Sequence, residues 1–486
     1  MRILLDTNII IAIEPVSEKN LEEGTDDLVR LLNLISKGNH KALIHPSIKK
    51  DFASEKDHKR KEARELLVKK YEMLENPPKK DVVEGILGMA KQDSHDEIDY
   101  ELLAAVFKEA VHILVSNDFK LIQKAKKLGL SERVLDGNKA INLLERKENQ
   151  WFDLSPDVES GSAHQLNEKD TIFDSIREDY QSFDEWFSNC KKEGRRVWWI
   201  TRTDSSYAGV AIFKDNDLLS SYTGKGGKLC TFKVSEQSSG NKYGELLLKT
   251  IFSYCDLNNY DYIYVTVREK YKQLIAMLEN FGFGACDYQT ATEDTIYVKK
   301  FKPGKDGGEE MTSLEYHIKF GPPALKTENV KFFVIPIYPD YHKMLFPELD
   351  VGRLPISSHP SGNALRKAYL CHANINNLDP GSILLFYRSH DQQSVSVIGV
   401  LETAWRTKDP DLIWSTIGNR TVYTYNTIDE MTKEKTVLVL EFRQDRILKS
   451  SISLKELEEH NVLNGAPQSI QGVKDGHKWL VSQIGQ

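Results

Sequence analysis

The chain has 486 residues, 65 Lys and Arg against 72 Asp and Glu, a formal charge of −7, and 40% hydrophobic and 28% charged side chains. At roughly 100–200 residues per domain this length suggests about three domains, and the apolar fraction excludes a largely disordered chain. Residues 151–312 hold 20 basic and 26 acidic side chains and so carry −6 of the −7, which excludes a uniformly basic nucleic-acid coat but leaves local basic patches on the outer segments.

In chain order, residues 1–5 read as a strand, 25–35 as a helix, 42–44 as a short strand and 47–75 as one long helix broken by Asn76-Pro77-Pro78. A helix over 100–110, a strand over 111–115 and a helix over 121–128 ended by Gly129 follow. Strands alternating with helices predict a parallel sheet with helices on both faces. A polar stretch at 153–164 reads as a linker, and a helical pattern over 170–187 leads into strands at 197–201, 207–213 and 228–234. Then come a helix at 244–255, a strand at 262–267, a helix at 271–280 and a strand at 295–300, before a second linker at 302–310. The apolar runs 330–337, 382–387, 395–401 and 437–442, split by turns such as Asp379-Pro380-Gly381, predict a small β-barrel or a curled sheet. Residues 454–463 read as a helix. No run approaches the ~18 apolar residues of a membrane span; the longest candidate, 3–13, carries Asp6 and lacks the flanks of a signal peptide. Cys190, Cys230, Cys255, Cys286 and Cys371 are widely spaced, without a CxxC pair, which argues against a disulfide framework or zinc cluster and for a cytoplasmic location.

Asp6 follows the first strand and Asp118 follows Leu114-Val115-Ser116-Asn117. Residues just beyond strand ends line the crevice of a parallel sheet. Asp96 and Asp99 share a face at the start of a helix, and Asp51 and Glu55 lie one turn apart. Such carboxylates suit a hard Mg²⁺ or Mn²⁺ ion that activates water for attack on a phosphodiester, with Thr7, Asn8, Ser116 and Asn117 orienting water or phosphate oxygens. The competing reading is structural: Asp6, Asp96 and Asp118 as helix N-caps, Asp99 stabilising a helix dipole, Asp51 merely solvated.

Arg2-Ile3-Leu4-Leu5-Asp6-Thr7-Asn8, Asp96-Glu97-Ile98-Asp99-Tyr100-Glu101-Leu102-Leu103 and Leu114-Val115-Ser116-Asn117-Asp118 together resemble a PIN domain over about residues 1–145. The resemblance implies a metal-dependent nuclease, mostly a ribonuclease, often the toxin of a toxin–antitoxin pair. It places metal ligands at Asp6, Asp99 and Asp118, with Asp96 an alternative and Asp51 or Glu55 as the further acid. Lys49, Lys50, Lys56, Lys59, Arg60 and Lys61 form either a backbone-binding face or an ordinary solvated one.

The middle segment, about 165–301, resembles a GNAT acetyltransferase through its strand order, the helix opening at Gly244, and Glu279-Asn280-Phe281-Gly282-Phe283. The resemblance implies a coenzyme A diphosphate cradled at that helix N-terminus by Gly240, Tyr243 and Gly244. The pattern is eroded: in Ser239-Gly240-Asn241-Lys242-Tyr243-Gly244 only Gly244 matches, and Leu278 stands where the family has its proton-donating tyrosine, leaving Tyr271 as substitute. A non-catalytic scaffold or cofactor sensor is the competing reading.

Phe333-Val334-Ile335-Pro336-Ile337, Gly362-Asn363-Ala364-Leu365-Arg366-Lys367 and Pro380-Gly381-Ser382-Ile383-Leu384-Leu385 resemble an ASCH domain of the PUA-like group. The resemblance implies RNA or nucleobase recognition. Arg366, Lys367 and Arg388 are candidate phosphate contacts, and Tyr369 and Tyr387 candidate stacking partners or plain core. The expected chain is thus an α/β multidomain protein with a PIN-like domain at 1–148, a GNAT-like α+β domain at 165–301 and a PUA-like barrel at 313–486. Its leading expected function is metal-dependent RNA cleavage with an antitoxin or regulatory partner. The rivals are an acetyltransferase using acetyl-CoA on an RNA- or ribosome-associated substrate, and a non-catalytic RNA-binding regulator.

Overall fold

The computed structural model describes residues 1–13, 25–38, 40–53, 68–90, 94–148, 158–202, 204–289, 294–303, 308, 310–351 and 360–485. They form two compact units: 1–151 with 407–418 and 423–434, and 152–406 with 419–422 and 435–486.

The first unit is built on β1 (Arg2–Leu5), β2 (Lys41–Ile44), β3 (Glu72–Met73), β4 (Ile113–Val115) and β5 (Val134–Leu135). They lie in the order β3-β2-β1-β4-β5, and every pair is parallel. Between and after them run α1 (Thr7–Ile13), α2 (Thr25–Lys37), α3 (Ile48–Ala53), α4 (Asp81–Leu87), α5 (His95–Phe107), α6 (Phe119–Lys127) and α7 (Gly137–Glu148). Side chains alternate between the faces of a strand. Ile3, Leu4 and Leu5 are nonetheless all buried, so both faces of this sheet are covered. Leu4 and Leu114 share a core with Leu103 and Val106 of α5 and Leu121 of α6. The strand order reverses between β1 and β4, which places the ligand crevice at their carboxyl ends.

The expected helix over 47–75 is corrected: β3 occupies Glu72–Met73, paired with Leu43 and Ile44. Glu, Met and Leu favour helix, but a two-residue strand has no period of its own, and pairing with β2 overrides the propensity. Residues 54–67, with Glu55, Lys56, Lys59, Arg60 and Lys61, lie outside the described residues, as does the Asp51 side chain.

In the second unit β6 (Glu159–Ser162), β7 (Arg196–Thr201), β8 (Tyr207–Lys214), β9 (Gly226–Val234), β10 (Tyr262–Arg268), β11 (Gly284–Gln289) and β12 (Asp294–Lys300) form one sheet. Its order is β11-β12-β10-β9-β8-β7-β6. The helices are α8 (Asp174–Asp179), α9 (Phe183–Lys192), α10 (Tyr243–Leu257) and α11 (Lys272–Asn280). Part of the expected linker at 153–164 is therefore the edge strand β6, whose Glu-Ser-Gly-Ser sequence carries no apolar alternation.

The remaining elements are α12 (Ser313–Phe320), β13 (Phe332–Ile337), α13 (Pro339–Leu345), α14 (Glu348–Val351), α15 (Pro360–Asn363), β14 (Arg366–Cys371), β15 (Ile383–Arg388), β16 (Ser394–Thr407), α16 (Pro410–Ile417), α17 (Tyr425–Glu434), β17 (Val437–Ser453), α18 (Leu454–Glu459), β18 (Gln471–Gly472) and α19 (His477–Ile484). Where a barrel was expected, the strands form a six-stranded sheet in the order β14-β17-β16-β15-β13-β18, with β14 and β18 at its ends. It is mixed: β13 and β15 are parallel, β15 and β16 antiparallel. Helices α16 and α17, which interrupt this sheet in sequence, belong to the first unit. No helix among the described residues is long and apolar enough to cross a membrane, and all five cysteines are free thiols.

Candidate functional sites

At the carboxyl ends of β1 and β4 a hydrogen-bonded network joins the predicted residues. Ser116 Oγ donates to Asp6 Oδ2 at 2.5 Å, and Asn8 Nδ2 donates to Asp6 Oδ2 at 2.8 Å and to Ser116 Oγ at 3.1 Å. The Asp118 N–H donates to Ser116 Oγ at 3.0 Å. Asp118 also caps α6, its Oδ1 accepting from the N–H of Lys120 at 2.7 Å and of Leu121 at 3.4 Å, so the capping reading holds for it.

Asp99, from α5, is half-buried. Burial pushes its carboxyl up, Lys124 pulls it back, and the charges of Asp118 and Asp96 add to the rise. Lys124 of α6 donates to Asp99 Oδ2 at 2.6 Å and also to Asp96; those bonds hold the exposed Asp96 below the usual carboxylate range and, against the effect of burial, hold the ammonium above its own. The crevice therefore carries its own counter-charge, which sequence reading missed. Among the described residues the carboxylates of Asp6, Asp99 and Asp118 do not all approach within 4.8 Å of one another. The ligand atoms of His112, Asp409 and Asp411 do, near the amino ends of β1 and β4. The donor set in the crevice suits a hard cation, but its spacing as it stands is not a closed metal shell. Lys49 and Lys50 are exposed, and Lys50 pairs with Glu101 at 3.0 Å.

The second site lies where β9 and β10 part. They pair in parallel from Gly226↔Tyr262 to Leu229↔Val265, while β9 continues to Val234 and β10 to Arg268. Beyond Leu229 the strands diverge, leaving that edge of β9 unpaired by a strand. Both following helices open at this end. Phe232, Val234, Tyr243, Tyr271, Leu274 and Met277, from these segments, are partly buried against the core of the sheet.

The loop leading into α10 takes left-handed backbone at Gly240 (φ 89°) and at Lys242 (φ 59°). The backbone conformation that suits glycine thus survives the substitution at position 242. A Cβ on Gly244 would meet Met277 Sδ at 2.9 Å, so this glycine lets α10 and α11 approach. The first-turn N–H groups of a helix lack intrahelical partners, and Lys242, the residue before this helix, has its ammonium 3.7 Å from Glu245 Oε1 in the first turn. These features fit an anionic diphosphate followed by an extended chain along β9. Leu278 is fully buried and carries no proton to give. The Tyr271 hydroxyl donates to Asp179, which also faces Lys270 and Arg268, while Lys233 donates to Ser175 at 2.9 Å. Asp179 was not read as a site residue, because it meets Tyr271 across 92 positions.

The C-terminal candidates are engaged by partners within the fold. Lys367 is fully buried and donates to the Gly362 carbonyl at 3.1 Å and to that of Ser361; burial drives its ammonium well down. Arg388 is buried and paired with Asp391 at 2.6 Å. Arg366 is paired with Glu402 at 2.7 Å. Tyr369 gives its hydroxyl to the Pro336 carbonyl at 2.8 Å, and Tyr387 belongs to the core. As placed, the Lys367 and Arg388 side chains serve the fold and do not present charge to a phosphate.

Residues 162–283 match the Acetyltransferase (GNAT) family. No curated protein matches the chain. Similar solved structures include ASCH from Zymomonas mobilis, 17% identical with a TM-score of 0.24, covering 31% of this chain and 94% of that one. A GNAT-family acetyltransferase from Staphylococcus aureus is 16% identical with a TM-score of 0.25, covering 30% and 99%. An acetyltransferase from Streptococcus agalactiae is 17% identical with a TM-score of 0.25, covering 29% and 98%. The segment that contains the diverging strands and the start of α10 is thus a GNAT acetyltransferase domain within a larger α/β chain.

Proposed function

We propose that the chain is a coenzyme A-dependent acyltransferase that acetylates an amine, with the donor in the gap between β9 and β10. The single observation that carries this reading is the divergence of these parallel strands beside a helix whose entering loop keeps its left-handed backbone. Acetyl-CoA, when bound, supplies the thioester. The edge of β9 from Cys230 to Val234 would hold the amide-bearing arm, and Lys242 with the α10 N-terminus would hold the diphosphate. Tyr271 would give its proton to the leaving sulfur as the acyl group passes to the amine nitrogen. Asp179, which receives the Tyr271 hydroxyl bond and is balanced by Lys270 and Arg268, takes up the amine proton. Calorimetry should show acetyl-CoA binding, and Tyr271→Phe should lower the rate about 100-fold, in the usual range for a general acid, while leaving donor binding unchanged. No binding by the wild type would remove the proposal.

A second reading is favoured by the Asp6–Asn8–Ser116–Asp118 network at the point where the strand order reverses: metal-dependent cleavage of RNA by the first unit. Asp6, Asp99 and Asp118 would hold Mg²⁺ or Mn²⁺, which activates water. Lys124 would have to yield Asp99 to the ion. RNA cleavage with Mn²⁺, abolished in Asp6→Asn, supports it; equal cleavage by both proteins refutes it. RNA binding with neither cleavage nor acetyl-CoA uptake would leave the non-catalytic regulator.

A further inference from the structure

A left-handed backbone at a lysine does not sustain itself, because Cβ crowds the following carbonyl. What surrounds Lys242 comes from far along the chain. Asn363 Nδ2 donates to the Asn241 carbonyl at 3.0 Å. In the first turn of α10, Glu245 Oε2 accepts from the N–H groups of Leu365 at 2.9 Å and Arg366 at 3.1 Å. Its Oε1 lies 3.4 Å from Arg420 Nη1 and 3.7 Å from Lys242 Nζ. Pro360 to Leu365 are all buried, and Leu365 packs into the core of the middle sheet.

The charges have a consequence for an anion. An acid in the first turn of the helix repels a diphosphate arriving at the same N-terminus. Here that acid is buried, turned onto two backbone N–H groups and faced by Arg420 and Lys242, so its negative charge is offset by partners of its own.

We infer that residues 363–366 and Arg420, all outside the segment that matches the acetyltransferase family, complete the donor cradle: they hold the loop before α10 in its anion-receiving form, with Asn363 as a positioning residue. This rests on the donor-site reading above. The consequence is that the C-terminal sheet is part of the acyl-donor site and not a separate module tied on by a linker.

The test uses the full chain and two ligands, acetyl-CoA and acetylpantetheine, the second lacking the diphosphate. Asn363→Ala should weaken acetyl-CoA binding about fivefold, the loss of one hydrogen bond. Acetylpantetheine binding should not change, and Asn363→Gln should restore part of the loss. Should Asn363→Ala fail to fold, Arg420→Gln puts the same question, with about a tenfold loss expected for acetyl-CoA alone. Equal acetyl-CoA binding by wild type and variant, or equal losses for both ligands, overturns the inference. Wild type that binds no acetyl-CoA overturns the donor site itself, and the inference falls with it.

Discussion

Single side chains set the charge balance of the first unit, and His45 sets part of its pH response. It follows β2 and is buried. The Ser47 N–H donates to its Nδ1 at 3.2 Å, so the proton of the neutral ring resides on Nε2. Burial drives its pKa down to about 4, against the pull of the Glu101 carboxylate and with a small push from Lys50. The unfolded chain takes up this proton near pH 6.5 and the folded chain only near 4. The contribution of His45 to stability is therefore complete above pH 6.5 and is lost as pH falls to about 4, a total of about 3 kcal/mol. Thermal midpoints at pH 7.5 and 4.5 should separate less in His45→Gln than in wild type; an equal separation would assign the acid sensitivity elsewhere. Legibility at this scale followed distance along the chain. Asp6, Asn8, Ser116 and Asp118 could be read because each adjoins a strand end. Lys124 looked like one more lysine of a basic helix end, since Asp99 lies 25 positions away.

Secondary-structure elements were legible where their apolar period was strong, and α10 shows what that period leaves out. Its apolar residues give the helix, while Glu245 and Lys249 stand one turn apart on one face. Both are buried. Lys249 Nζ meets Glu348 Oε1 at 2.5 Å and Gln444 Oε1 at 3.3 Å. Glu348 is held below the usual carboxylate range: burial opposes its charge, and Lys249 followed by Lys367 overcomes the opposition. Removing one member of a buried pair strands the other, at a cost of about 3–5 kcal/mol. Lys249→Met should lower the denaturation midpoint accordingly, and adding Glu348→Leu should recover most of the loss. A single variant as stable as wild type would show that water already reaches Glu348. Strand β14 escaped prediction for a related reason: it opens on Arg366 and Lys367, whose charges hide a strand that is otherwise apolar.

For the whole molecule the sequence suggested three consecutive domains; the chain carries three sheets in two compact units. Residues 407–418 and 423–434 leave the C-terminal sheet between β16 and β17 and join the first unit. No local pattern announces this, because α16 is an ordinary amphipathic helix with Asp409 as its cap and Pro410 at its start. Its burial is supplied by residues far away in sequence. Trp414 is 2% exposed and its Nε1 donates to the Leu143 carbonyl at 3.3 Å. Asp411 lies 3.3 Å from the amino group of Met1, and Asp409 lies 3.3 Å from His112 Nε2. The parallel sheet is therefore completed by a segment from the other end of the chain. Trp414→Ala removes a buried indole, a change that costs about 3–5 kcal/mol in a well-packed core. In the full-length protein, protection of the β1 and β4 amides from hydrogen exchange should fall by that amount, while the β8 and β9 amides keep theirs. Uniform loss across both sheets would show the two units to unfold as one, and no loss would show α16 to be a passive cover.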